Sequence, residues 1–106
     1  MEHVSIDTMR GGTPLTLFVV ERRPAISDGA LPMLREALAD ASRRLTARGQ
    51  AVRYVGSVSV PAEGRMLCYF EAVNADAVRL ANRNAMAPVT SIELAQKNAY
   101  RSPYRD

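Results

Sequence analysis

The feature that most limits the folds open to this chain is a hairpin at its middle. Val52 to Val60 alternates apolar and polar residues, Pro61-Ala62-Glu63-Gly64 makes a short turn, and Arg65-Met66-Leu67-Cys68-Tyr69-Phe70-Glu71-Ala72 runs back. A two-stranded hairpin is marginal in water and needs its apolar face covered. The flanking sequence supplies helices for that purpose. Upstream, Leu31, Leu34, Leu38, Ala41 and Leu45 recur at three- and four-residue steps behind Ser27 and Asp28, either of which suits an N-cap, and Gly49 suits a left-handed C-terminal cap. Arg35, Glu36, Asp40, Arg43 and Arg44 mark the solvated side of this first helix. Downstream, Asn74 can cap a second helix whose apolar side is Ala77, Val78, Ala81 and Ala85, and Pro88 ends it. Its Asn82 and Asn84 read as solvent-facing or capping residues.

Two further strands complete the pattern. Leu15 to Arg22 is rich in β-branched and aromatic residues and stops before Pro24, and Val89 to Ala95 follows Pro88. The order is β-α-β-β-α-β. This predicts an α+β, ferredoxin-like domain with a four-stranded antiparallel sheet and two helices on one face. Residues 1–14 read as an N-terminal arm, 15–95 as the domain and 96–106 as a C-terminal tail. With helices on only one face, a half-apolar sheet surface needs another cover, and a second copy of the chain is the simplest one. The expected assembly is a dimeric α/β barrel, a homodimer or a higher homo-oligomer.

Composition narrows the partners. The longest apolar run, Leu17-Phe18-Val19-Val20, is far too short to cross a bilayer, and the first residues lack the pattern of a signal peptide, so no membrane partner and a cytoplasmic location are expected. Cys68 is the single cysteine, which leaves no internal disulfide or thiolate metal cluster. The net charge of +3 comes from arginines scattered along the chain, with no tryptophan and no aromatic pair of the RNA-binding kind, so nucleic acid is not an expected partner.

Chemistry is sought on the open sheet face. The first and third strands are expected to lie centrally side by side and parallel, which would bring Glu21 and Glu71 together at their ends. Strand alternation then places Glu21, Ser57, Ser59, Tyr69, Glu71 and Glu93 on the open face with Leu17, Val19, Val55 and Leu67, and turns Val52, Tyr54, Val58, Val60 and Cys68 toward the helices. An apolar floor with a few converging polar groups suits a small organic ligand. Glu21 and Glu71 would raise each other's pKa values and serve as acid and base, with Tyr69 as hydrogen-bond donor and Ser57, Ser59, Val19, Val55, Leu67 and Glu93 as substrate contacts. No cofactor is needed for such chemistry. A plainer reading pairs Glu21 with Arg22, Arg23 or Arg53 and leaves Glu93 simply exposed. Carboxylates could alternatively hold a divalent metal ion, with His3, the single histidine, as an extra ligand from the arm.

The segments Leu17 to Arg22, Arg53 to Val60 and Cys68 to Ala72, with Ala77-Val78-Arg79 and Pro88, resemble a bacterial domain-of-unknown-function family that includes an actinobacterial nickel-binding protein. The resemblance spans roughly residues 15–95 and implies a dimeric ferredoxin-like barrel. That family commonly carries a histidine in the second helix, where this chain has Ala81. Three expectations follow. The first is a small-molecule-binding dimeric barrel acting as a cofactor-free isomerase or cyclase, the second a nickel-binding or metal-responsive protein, and the third a non-catalytic interaction module.

Overall fold

The computed structural model describes residues 14–95; the expected arm, apart from Pro14, and the tail lie outside them, as does His3. The elements are β1 (Thr16–Arg22), α1 (Leu31–Ala47), β2 (Val52–Val60), a single 3-10 turn (Pro61–Glu63), β3 (Arg65–Ala72), α2 (Ala75–Asn84) and β4 (Ser91–Leu94). They form one four-stranded sheet in the order β2-β3-β1-β4 with every neighbouring pair antiparallel. This is the α+β, ferredoxin-like plan expected from the pattern of the sequence.

The helix ends show how local chemistry sets the boundaries. Neither Ser27 nor Asp28 caps α1 through its side chain; the Ser27 and Asp28 carbonyls accept from the Ala30 and Leu31 amides in a preceding turn, and Pro32 occupies the first helical turn. At the other end Gly49, at φ 97°, reverses the chain, its amide donating to the Thr46 carbonyl at 3.0 Å while Gln50 donates to that of Leu45 at 2.9 Å. Asn74 caps α2 as expected, its Oδ1 accepting from the Ala77 amide at 2.9 Å.

Burial alternates along β3 and, from Leu17 onward, along β1. Phe18 and Val20, with Met66, Cys68, Phe70 and Ala72, pack under the helices against Leu38, Leu45, Ala77, Val78 and Ala81. The inner side of α2 is made of Ala77, Val78, Ala81 and Asn82, all buried.

Two expectations about register are corrected. β1 and β3 are antiparallel, so Glu21 pairs with Leu67 while Glu71 pairs with Leu17. In a split βαβ plan the parallel partner of β1 is β2, with β3 inserted between them. The second correction concerns β2. A bulge between Tyr54 and Gly56 inserts Val55, after which Gly56 pairs with Tyr69, Ser57 with Cys68 and Val58 with Leu67. One extra residue reverses side-chain parity beyond it. Val52 and Tyr54 keep the expected helix side, whereas Val58, 51% exposed, and Val60 join the open face and Ser57 and Ser59 leave it.

Two residues also sit where the sequence pattern did not place them. Arg22 is 1% exposed, with Nη2 donating to Asn82 Oδ1 at 2.6 Å and Nη1 to the Pro88 carbonyl at 2.6 Å. Asn82, expected in solvent, is buried and donates from Nδ2 to the Val78 carbonyl at 2.8 Å. Among the described residues no carboxylate pairs with Arg22; its acceptors lie at and just beyond the C-terminal end of α2, where the helix dipole is negative. The bridge ties β1 to α2 and to the segment that leads into β4. Removing Asn82 Oδ1 while keeping the charge is therefore expected to cost more than removing the charge. Asn82→Leu should lower unfolding stability by about 3 kcal/mol and Arg22→Met by less, measured by urea denaturation. The reverse order would show that the guanidinium does not rely on this acceptor. Met86 takes φ 57° at the end of α2 and is 88% exposed, so Met86→Gly is expected to raise stability by about 0.5–1 kcal/mol in the same assay.

Candidate functional site on the open sheet face

Antiparallel partners share a face, so the register defines the open surface directly. Val19 sits between Tyr69 on β3 and Glu93 on β4, and Glu21 sits between Leu67 and Ser91. These residues, with Arg65 and Ala95, enclose a depression of about 310 Å³. Val19 and Leu67 contribute apolar side chains to its lining, and Glu21, Tyr69 and Glu93 contribute polar ones. Of the expected site residues, the depression therefore gathers Glu21, Tyr69, Val19, Leu67 and Glu93.

The others are elsewhere. Glu71 lies four residues along β3 from Leu67, about 13 Å from the level of Glu21, so the two cannot share a proton or a substrate atom. The carboxylate nearest Glu21 across the β1–β4 pair is that of Glu93, on the diagonal position about 7–8 Å away between Cα atoms. Ser57 and Ser59 face the helix side. Ser57 Oγ donates to Cys68 Sγ at 3.0 Å and shares a 2.5 Å hydrogen bond with the Tyr54 hydroxyl, and Cys68 itself is buried. Val55, the inserted residue of the bulge, is exposed.

Most carboxylates around this face are already engaged. Glu21 pairs with Arg23 at 3.0 Å, Glu71 with Arg53 at 2.5 Å and Glu63 with Arg65 at 2.5 Å. The plainer reading of Glu21 thus holds in its second form, with Arg23 as the partner. Glu93 is exposed and has no ion pair among the described residues. The hydrogen bond from Arg65, reinforced by its charge, holds the Glu63 carboxyl below the ordinary glutamate range. Among the described residues no three His, Cys, Asp or Glu side chains come together as a metal site, and Ala81, where the family resemblance implies a histidine, is buried in the core. No described helix is long and apolar enough to cross a membrane.

Three features of the domain escaped the sequence pattern. The bulge had a signal, since Gly56 interrupts the alternation of a strand and such a glycine often marks one. The buried Arg22 and Asn82 had none, because each looks like a surface residue until the ends of β1 and α2 are brought together.

The comparisons with known proteins bear on the fold. No family model matches the chain, and no curated protein matches it in sequence. A solved structure, that of SCO4226 from Streptomyces coelicolor A3(2), is similar with a TM-score of 0.65 at 20% identity, covering 78% of this chain and 99% of that one. At that identity the likeness establishes the fold.

Two measurements check the electrostatics. Arg65→Gln is expected to return the Glu63 titration upward into the ordinary carboxylate range by carbon-detected NMR, and an unchanged midpoint would mean that the pair is not formed in solution. Because the folded-state pKa is depressed, whatever the pair adds to stability is present above the unfolded-state pKa and disappears as pH falls through the folded one. The Arg53–Glu71 pair is largely solvated, so a double-mutant cycle on it should give a coupling of no more than about 1 kcal/mol.

Proposed function

We propose that this chain is a small-molecule-binding protein that works as a homodimer, with the ligand held over the open sheet face and enclosed by the second copy. The observation that carries the proposal is the depression that sets apolar Val19 and Leu67 beside the polar groups of Tyr69 and Glu93. Apolar side chains with placed polar groups are the usual build of a small-ligand site, and in one copy the depression stands open to solvent. The surrounding face carries Val55 and Val58 exposed, which supports covering by a partner surface of similar character.

The engaged carboxylates constrain the chemistry. Glu21 and Glu71 stand at opposite ends of the face and each is paired with a different arginine, which fits poorly with a shared acid and base. Glu93 is the carboxylate left to contact a ligand, and Tyr69 the hydrogen-bond donor facing the same space. Any isomerase- or cyclase-type proton transfer would therefore pass through Glu93, without a cofactor, while Glu21 pairs with Arg23.

Native mass spectrometry of the purified protein tests this reading. The expected result is a dimer carrying a co-purified organic mass, with both lost in Val58→Asp and the fold retained by circular dichroism. A monomeric wild type at micromolar concentration would overturn the proposal. A dimer that never holds an organic molecule would reduce the face to an assembly surface, and a metal adduct would point to the divalent-cation role.

A further inference from the structure

The open-face depression lies at the sheet edge from which the C-terminal residues depart. β4 is an outer strand, and its pairing with β1 sets Ser91 opposite Glu21 and Glu93 opposite Val19. The chain stays fixed to the sheet beyond the last pair, because the Ala95 amide donates to the Leu17 carbonyl at 2.9 Å. Ala95 itself lines the depression. Residues 96–106 therefore continue from the rim of this site.

Their length permits a return over it. Along β4 the depression extends from Ser91 to Ala95, about 13 Å at the rise of a strand. Tyr100, five residues past Ala95, can lie up to about 17 Å from it, which brings Val19 and Leu67 within reach of its ring.

The composition of the tail matches what the depression presents. The lining holds apolar Val19 and Leu67 beside two carboxylates, Glu21 and Glu93, and one guanidinium, Arg65. Arg65 is bound to Glu63 and Glu21 to Arg23, whereas Glu93 has no ion pair among the described residues. The tail carries Lys97, Arg101 and Arg105 against a single acid, Asp106, together with Tyr100 and Tyr104. A tyrosine covers apolar surface with its ring and keeps its hydroxyl in water. Ring burial supplies the larger share of such a contact, since an exposed ion pair contributes little by itself, and the pair decides where the ring lands.

We propose that residues 96–106 fold back as a strap over the depression of their own chain, with the Tyr100 ring on Val19 and Leu67 and Arg101 paired with Glu93. The strap occupies the site when no ligand is bound. A ligand that uses Glu93 has to displace Arg101, so ligand binding and tail position are coupled; that consequence rests on the small-molecule reading above, whereas the docking does not. The β2 side of the face, where Val55 and Val58 are exposed, is left for the second copy.

The test uses the full ligand-free chain with isotope-labelled valine and leucine methyls. NOEs are expected between the Tyr100 ring and the methyls of Val19 and Leu67, assigned by their loss in Tyr100→Ala. Arg101→Gln should weaken them and shift the Glu93 amide while the core amides of Val20, Phe70 and Val78 stay in place. Absence of these NOEs in the wild type, or Tyr100 contacts with Leu38 or Val52 on the helix side instead, would overturn the strap. Undiminished NOEs with an unmoved Glu93 amide in Arg101→Gln would overturn the pairing with Glu93. In a mixed sample, where methyl-labelled copies carry deuterated tyrosine and the other copies are unlabelled, the NOEs should vanish; their persistence would show that the tail crosses to the partner. Contacts within a monomeric protein would support the strap even where the dimeric reading fails.

Discussion

A sheet covered by helices on one side must sort its side chains by parity, and the two central strands carry that constraint for the whole domain. β1 and β3 bury every second residue, which puts Phe18, Val20, Met66, Cys68, Phe70 and Ala72 into one core and leaves Val19, Glu21, Leu67, Tyr69 and Glu71 on the uncovered face. A slip of one residue in either strand would exchange the two sets and expose the core. The helices and the outer strands adapt to this partition. α2 turns Ala77, Val78, Ala81 and Asn82 toward the sheet, and β4, only four residues long, is positioned by its pairing to β1.

The buried guanidinium of Arg22 extends the same constraint into three dimensions. Parity turns Arg22 inward as the last residue of β1, where a charge would be costly without acceptors. The end of α2 supplies them as an amide oxygen and a backbone carbonyl rather than as a carboxylate. Two charge-assisted bonds to one terminus fix the distance between β1 and the Pro88 segment, and through it the start of β4, on which Ser91 and Glu93 of the open-face depression stand. The interior of the domain and the geometry of its candidate site are therefore linked by a residue that touches no part of that site.

Much of this architecture was legible in the sequence, because hydrophobic period and capping chemistry are local. The two helices, the hairpin, the cap at Asn74 and the reversal at Gly49 follow from residues within one or two turns of each other. The candidate site was legible only in part. Glu21, Tyr69, Val19, Leu67 and Glu93 share the open face because alternation within a strand is also local, whereas the pairing of Glu21 with Glu71 depended on strand direction, which alternation does not encode. Ser57 and Ser59 were misplaced by one inserted residue, and Asn82 by a partner sixty positions away in the chain.

The bulge in β2 shows how one local irregularity serves two surfaces. A Cβ at Gly56 would meet nothing within 4 Å, so crowding does not require glycine there. What holds the irregular turn of the strand is the hydrogen-bonded chain from the Tyr54 hydroxyl through Ser57 Oγ to Cys68 Sγ, which closes across the inserted Val55. Before the bulge, Val52 and Tyr54 face the helices and form a wall of a crevice beside α1. After it, Val58 and Val60 face the open sheet and widen its apolar surface. An unbroken strand would have turned Val58 toward the helices and Ser57 toward the uncovered face. The inserted residue thus keeps the hydroxyls away from the surface proposed to meet a second copy, and it gives that surface an apolar β2 edge.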